Sequence, residues 1–90
     1  MPRDYKTSKE FDRILNKLQR KDKQLYENLL NKMNEVLNIT DIEHYKNLRY
    51  NMKEFKRVHI GHFVLVFKFD KINNLILFSD FDHHDKIYRN

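Results

Sequence analysis

The stretch Lys56-Arg57-Val58-His59-Ile60-Gly61-His62-Phe63-Val64-Leu65-Val66-Phe67-Lys68-Phe69 decides the fold. It continues through Asn74-Leu75-Ile76-Leu77-Phe78-Ser79-Asp80-Phe81 to Asp82-His83-His84-Asp85-Lys86-Ile87-Tyr88. Apolar runs of strand length, rich in β-branched and aromatic residues, are broken at Gly61 and again at Lys71-Ile72-Asn73-Asn74, which predicts strands joined by hairpins. Alternation places Phe55, Arg57 and His59 on one face of the first strand and Lys56, Val58 and Ile60 on the other. In the second strand Phe63, Leu65, Phe67 and Phe69 face one way, toward a core, while His62, Val64, Val66 and Lys68 face the other. The run from Leu75 to Phe81 is apolar almost throughout and is predicted to be central. The segment from Lys56 to Tyr88 also holds the chain's one glycine and four of its five histidines.

Upstream lie the elements that must cover this sheet. Arg3-Asp4-Tyr5-Lys6 can add a first strand. Thr7-Ser8-Lys9-Glu10 has the pattern of a capping box, with Thr7 expected to accept from the amide of Glu10. Phe11, Ile14, Leu15 and Leu18 then form one apolar helical stripe. Leu25, Tyr26, Leu29, Leu30, Met33, Val36 and Leu37 form a second, with Asp22 expected to cap it after a tight helix–helix turn. Each helix has one wet face, so the pair is expected as an antiparallel hairpin packed on the sheet. Residues 39–52 show no sustained period and read as a loop carrying cations and aromatics. The fold class is α+β: an N-terminal strand, a helical hairpin, a small antiparallel meander sheet and a short C-terminal turn, in one domain over residues 1–90.

With 90 residues the chain buries only a little over ~60% of its unfolded surface, so its stability margin is thin and a covering partner matters. It has no cysteine, which excludes disulfides, thiolate nucleophiles and Cys-based zinc sites and suits a cytoplasmic protein. No apolar run approaches the length of a membrane span or signal sequence, so no membrane partner and no Sec-type export are expected. A net charge of +5 favours a polyanionic partner.

Paired histidines raise the possibility of a metal. However, His59 and His62 flank a tight turn and alternation does not converge them, so no metal ligand and no cofactor are assigned. The residues suit metal-free RNA cleavage instead. That reaction needs a base for the ribose 2′-OH, cations for the phosphorane and an acid for the leaving 5′-oxygen. Histidine serves either proton role near neutral pH. Arg57 and His59 project from one strand face, and His84 and Tyr88 share a face if residues 82–88 form a helical turn. Arg57 would hold phosphate, His59 and His84 would move protons, and Tyr88 would stack on a base.

The order strand–helix–helix–three strands, together with Arg57-Val58-His59-Ile60 through Phe63-Val64-Leu65-Val66-Phe67-Lys68 and the closing His83-His84-Asp85-Lys86-Ile87-Tyr88, resembles the RelE superfamily of toxin–antitoxin toxins. It is most similar to the histidine-using YafQ branch. The resemblance implies a ribosome-dependent mRNA endonuclease, acting in the A site and silenced by a RelB-like acidic antitoxin. It implies His59, His84 and Tyr88 in catalysis beside Arg57, and Lys46, Arg49, Lys53, Lys56 and His83 in contact with RNA or the ribosome. The chain departs from the branch's pattern at His62, where an acidic residue stands, and at Lys46, near another histidine's place. Val64 lies where RelE proper has a catalytic arginine. Two other readings share the fold: a ParE-like toxin that binds DNA gyrase without catalysis, and an inactive relative kept for its partner.

Overall fold

The computed structural model describes residues 2–48 and 54–88. Strand β1 (Asp4–Thr7) leads into helices α1 (Lys9–Lys21) and α2 (Lys23–Asn38), followed by a single 3-10 turn at Ile42–His44. Strands β2 (Phe55–Ile60), β3 (Phe63–Asp70) and β4 (Leu75–His83) come next, and the four-residue helix α3 (His84–Ile87) is the last element among the described residues. The sheet order is β1-β4-β3-β2, so β4 is central, as its unbroken apolar run implies. β2, β3 and β4 form the expected antiparallel meander. β1 adds to β4 in parallel, from Asp4 opposite Leu75 to Thr7 opposite Phe78, which makes the whole sheet mixed. Among the described residues no helix is long and apolar enough to cross a membrane.

Local chemistry sets the turns. Gly61 takes a positive φ of 60° in the two-residue β2–β3 connection, a conformation that costs a residue with a Cβ. At the β3–β4 turn the Asp70 carboxylate accepts from the amides of Ile72 and Asn73, and Asn74 takes the left-handed conformation at φ 51°. Asp22 caps α2 by accepting from the Leu25 amide, as its sequence position predicts. The cap of α1 is one residue later than the capping box suggests. Ser8 accepts from the Phe11 amide, whereas the Thr7 hydroxyl donates to Asp12. Thr7 is the last residue of β1, paired with Phe78, and its extended backbone belongs to the sheet.

The core lies between the helices and one sheet face, where Phe11, Leu29, Met33 and Val36 pack on Leu65, Phe67, Ile76, Phe78 and Phe81. Phe11 stacks on Phe78 at 5.7 Å between ring centres. The opposite sheet face has a smaller cluster, Val64 and Val66 under Leu48, flanked by Phe55 and Ile87. Arg3 ties β1 to the end of α2: its amide donates to the Leu37 carbonyl and its guanidinium to the carbonyls of Ile39 and Thr40. A cation there satisfies the unpaired carbonyls of a helix C-terminus.

Over residues 39–48 the stretch read as a loop is irregular apart from the 3-10 turn at Ile42–His44 and one bridge, but it is packed against the domain. Ile42, Tyr45 and Leu48 are all buried, and Asn47 bridges to Lys56 on β2. Tyr45 is therefore not free to meet RNA. Its hydroxyl donates to Glu35 on α2 at 2.6 Å, and its ring packs edge-on to Phe67. Burial and the adjacent Glu35 carboxylate push the Tyr45 hydroxyl well above its ordinary range, while the bonds from Tyr45 and Lys32 hold Glu35 below 4.5.

Candidate functional site

β2 pairs antiparallel with β3 so that Arg57 lies opposite Val66 and His59 opposite Val64. Paired residues share a face, which puts Arg57 and His59 on the side away from the helices, beside the small Val64–Val66 cluster. α3 folds back onto this face through Ile87, which packs on that cluster. Its first amide, that of His84, donates to the His62 carbonyl at 2.9 Å, and the Tyr88 amide closes a turn on the His84 carbonyl. The C-terminal segment is thereby held against the β2–β3 turn.

The outcome is two neighbouring groups at one end of the sheet. In the first, the Arg57 guanidinium lies 5.6 Å from the centre of the Tyr88 ring, and the His59 ring lies 6.3 Å from it. Tyr88 remains 44% exposed, so one flank of its ring is open for stacking. In the second, the rings of His83 and His84 are 4.8 Å apart, and His62 lies 6.1 Å from His83 and 6.4 Å from His84. Asp85 supports this group. Its carboxylate is 3.1 Å from His84 Nδ1, and its amide donates to His83 Nδ1 at 3.2 Å.

Of the residues singled out from the sequence, Arg57, His59 and Tyr88 come together directly. His84 joins them at the same end of the sheet but keeps company with His62 and His83. The exposed Lys46 runs beside β2, where its carbonyl accepts from the Arg57 amide at 2.9 Å. Lys56 is a correction. It points into the core side at 6% exposure, its ammonium donating to Glu43, the Tyr45 carbonyl and Asn47, so it has no donor left to give a phosphate. Arg49 and Lys53 lie outside the described residues. Val64 is fully buried, so its position serves packing.

Sequence reasoning passed over His62 as a site residue. The signal was present in the pairing: once Phe63 is set opposite His83, the residues just outside the ladder, His62 and His84, must be neighbours. Asp80 was also passed over. It lies opposite Val66, and burial raises its carboxyl above the ordinary 3.8, against the lowering effect of the Phe81 amide.

No protein-family model matches the chain. A curated protein of Methanocaldococcus jannaschii, which carries the provisional name toxin RelE4, is 49% identical over 79 residues, covering 87% of this chain and 82% of that one. The chain belongs to the RelE toxin superfamily. Two solved structures agree in fold. The toxin–antitoxin complex RelBE2 of Mycobacterium tuberculosis matches with a TM-score of 0.76 at 15% identity, over 92% of each chain. YafQ of Escherichia coli matches with a TM-score of 0.76 at 17% identity, over 97% of this chain and 99% of that one. This RelE-type chain thus assembles two polar groups at one end of its sheet, the Arg57–His59–Tyr88 face and the corner of His62, His83 and His84.

Proposed function

We propose that this toxin is an mRNA endonuclease that cleaves translated messages in the ribosomal A site, in the cytoplasm and without a metal. The observation that carries the reading is the gathering of a guanidinium, imidazoles and an open aromatic ring at one end of a rigid sheet. A protein that acts only by binding gyrase has no use for that set. One imidazole, His59 or His84, takes the proton of the ribose 2′-OH. The 2′-oxygen attacks phosphorus, the bond from phosphorus to the 5′-oxygen breaks, and the other imidazole protonates the leaving oxygen. Arg57 stabilises the charge that builds on the phosphorane, and Tyr88 stacks on a base. Lys46 and His83 contact the RNA or ribosomal backbone, and Arg49 and Lys53 are proposed for the same role.

Expression of the chain alone, followed by mapping of transcript ends, tests the reading. Cuts should fall within translated frames and leave a 2′,3′-cyclic or 3′-phosphate with a 5′-hydroxyl. Cleavage should persist in EDTA on ribosomes kept intact by other means. Changed DNA supercoiling with intact messages would establish gyrase binding instead, and a 5′-phosphate product would point to water activated by a metal.

A further inference from the structure

We propose that His62, His83 and His84 form a three-imidazole site for a borderline-soft divalent cation such as Zn²⁺, with Asp85 orienting its ligands. Imidazole donors select zinc, nickel or copper over magnesium and calcium, whose sites are built from oxygens. With Zn–N bonds of ~2.0–2.1 Å, two imidazoles on one tetrahedral ion stand with ring centres roughly 5 Å apart. His83 and His84 are already at 4.8 Å, and His62, at 6.1 and 6.4 Å from them, has about an ångström to close. Its side chain is exposed on a hairpin turn, so rotation about its own bonds suffices.

The backbone fixes the corner. The His84 amide is bonded to the His62 carbonyl, and the β3–β4 ladder ends at Phe63 opposite His83, so the three residues are held together whether or not an ion is present. Asp85 supplies the supporting carboxylate that metal-bound histidines usually have. The Asp85 carboxylate lies 3.1 Å from His84 Nδ1, placed to orient that ring so that Nε2 is the nitrogen offered to an ion. His83 Nδ1 lies 3.6 Å from Asp85 Oδ2. Binding through its Nε2 turns Nδ1 from acceptor of the Asp85 amide into donor to the Asp85 carboxylate. Donor atoms of His83, His84 and Asp85 all lie within 4.8 Å of one another, whereas His62 stands outside that group and joins it only when its side chain rotates inward. Three nitrogen ligands leave a fourth position open, unlike the closed four-ligand sites that staple a fold.

One consequence rests on the nuclease reading: an ion on His84 removes that imidazole from proton transfer, so Zn²⁺ slows cleavage and EDTA restores it. The site itself is tested without activity. Calorimetric titration of the whole chain with Zn²⁺ should show one saturable site and no response to Mg²⁺. His62→Ala, His83→Ala and Asp85→Asn should each weaken binding by about 10–100-fold, while His44→Ala, remote from the corner, should leave it unchanged. Circular dichroism would confirm that each variant is folded. On titration the ring signals of all three histidines should move together in proton NMR spectra. Absence of saturable Zn²⁺ binding, wild-type affinity in folded His62→Ala, or an equal loss in His44→Ala would overturn the site. If Zn²⁺ binds as described but does not slow cleavage, the site stands and His84's proton role falls.

Discussion

Arg57 and His59 stand two residues apart on β2, so the pleat of the strand alone aims both at one face. What the pleat cannot supply is Tyr88, whose ring reaches Arg57 and His59 only because α3 turns back across β3. On the nuclease reading, His84→Gln should slow single-turnover cleavage by about 10²–10⁴-fold, the range for one acid–base group, or about 3–5 kcal/mol of barrier. Arg57→Ala should cost a similar order through lost stabilisation of the phosphorane. Full toxicity in folded His84→Gln would remove that residue from the mechanism. The Tyr45–Glu35 pair gives a second test, of stability. Tyr45→Phe keeps the buried ring but removes the bond to Glu35, and should cost about 1 kcal/mol. That is below the ~1.5–3 of a fully buried bond to a charged group, because about half of the Glu35 side chain is exposed. The bond from Tyr45 is the main reason Glu35 lies below 4.5 in the folded protein, so this stabilisation is fully present above 4.5 and is lost as pH falls below it. The gap between wild type and Tyr45→Phe, measured by urea unfolding, should therefore narrow as pH drops through that value. A gap that stays constant into acid would show that the hydroxyl does not act through the Glu35 carboxylate.

Elements whose cause is local could be read from the chain, and those set by distant pairing could not. Asp22 is legible as the α2 cap because the bond it makes, to the Leu25 amide, spans three residues. The α1 cap is fixed by β1 pairing with β4. The Ser8 amide donates to the Phe78 carbonyl and the Ser8 hydroxyl to the Ser79 carbonyl, partners some seventy positions away that no local pattern announces. Ser8→Ala should accordingly cost ~1–2 kcal/mol, since it loses both the cap and the tie to β4. Thr7→Ala should cost a few tenths, because the bond from Thr7 to Asp12 lies in solvent. Equal shifts of the urea midpoint for the two variants would restore Thr7 as a cap. The parallel entry of β1 and the folding-back of α3 were hidden for the same reason. The buried stretch before β2 did leave a signal, since the apolar residues Ile42, Tyr45 and Leu48 recur every third residue in an otherwise polar segment, and all three are buried. Alternation was enough to separate Arg57 and His59 from the core. It also placed Lys56 on the core side, but only the converging oxygens of Glu43, Tyr45 and Asn47 show how an ammonium is accommodated there.

At the scale of the whole molecule, a thin core and a charge of +5 leave the toxin in need of cover. A groove of about 780 Å³ runs between α1 and the ends of β3 and β4, lined by the apolar Ile14, Leu18 and Phe63 and by charges of both signs, in which the cations outnumber the carboxylates of Glu10, Asp80 and Asp82. An acidic, RelB-like antitoxin that is partly disordered when free suits such a surface. Its apolar residues would enter the groove while its carboxylates neutralise the cations. Wrapping buries a large area at an ordering cost of ~2–5 kcal/mol, which a chain plugging one deep pocket could not recover. On the nuclease reading, silencing would follow by bulk, which would keep the chain out of the ribosomal A site, and by displacement or masking of Arg57, His84 and Tyr88. The C-terminal segment is tied to the β2–β3 turn through the His84 amide but has little side-chain anchorage. α3 has only four residues, none of them buried, and Ile87 is its one apolar contact with the second cluster. Hydrogen exchange compared between the free toxin and its antitoxin complex should show protection gained along α1 and α2, and a change in either direction across residues 82–88. An antitoxin that alters exchange in neither region would exclude wrapping, and silencing would then have to act through the sheet face of Arg57 and His59 alone.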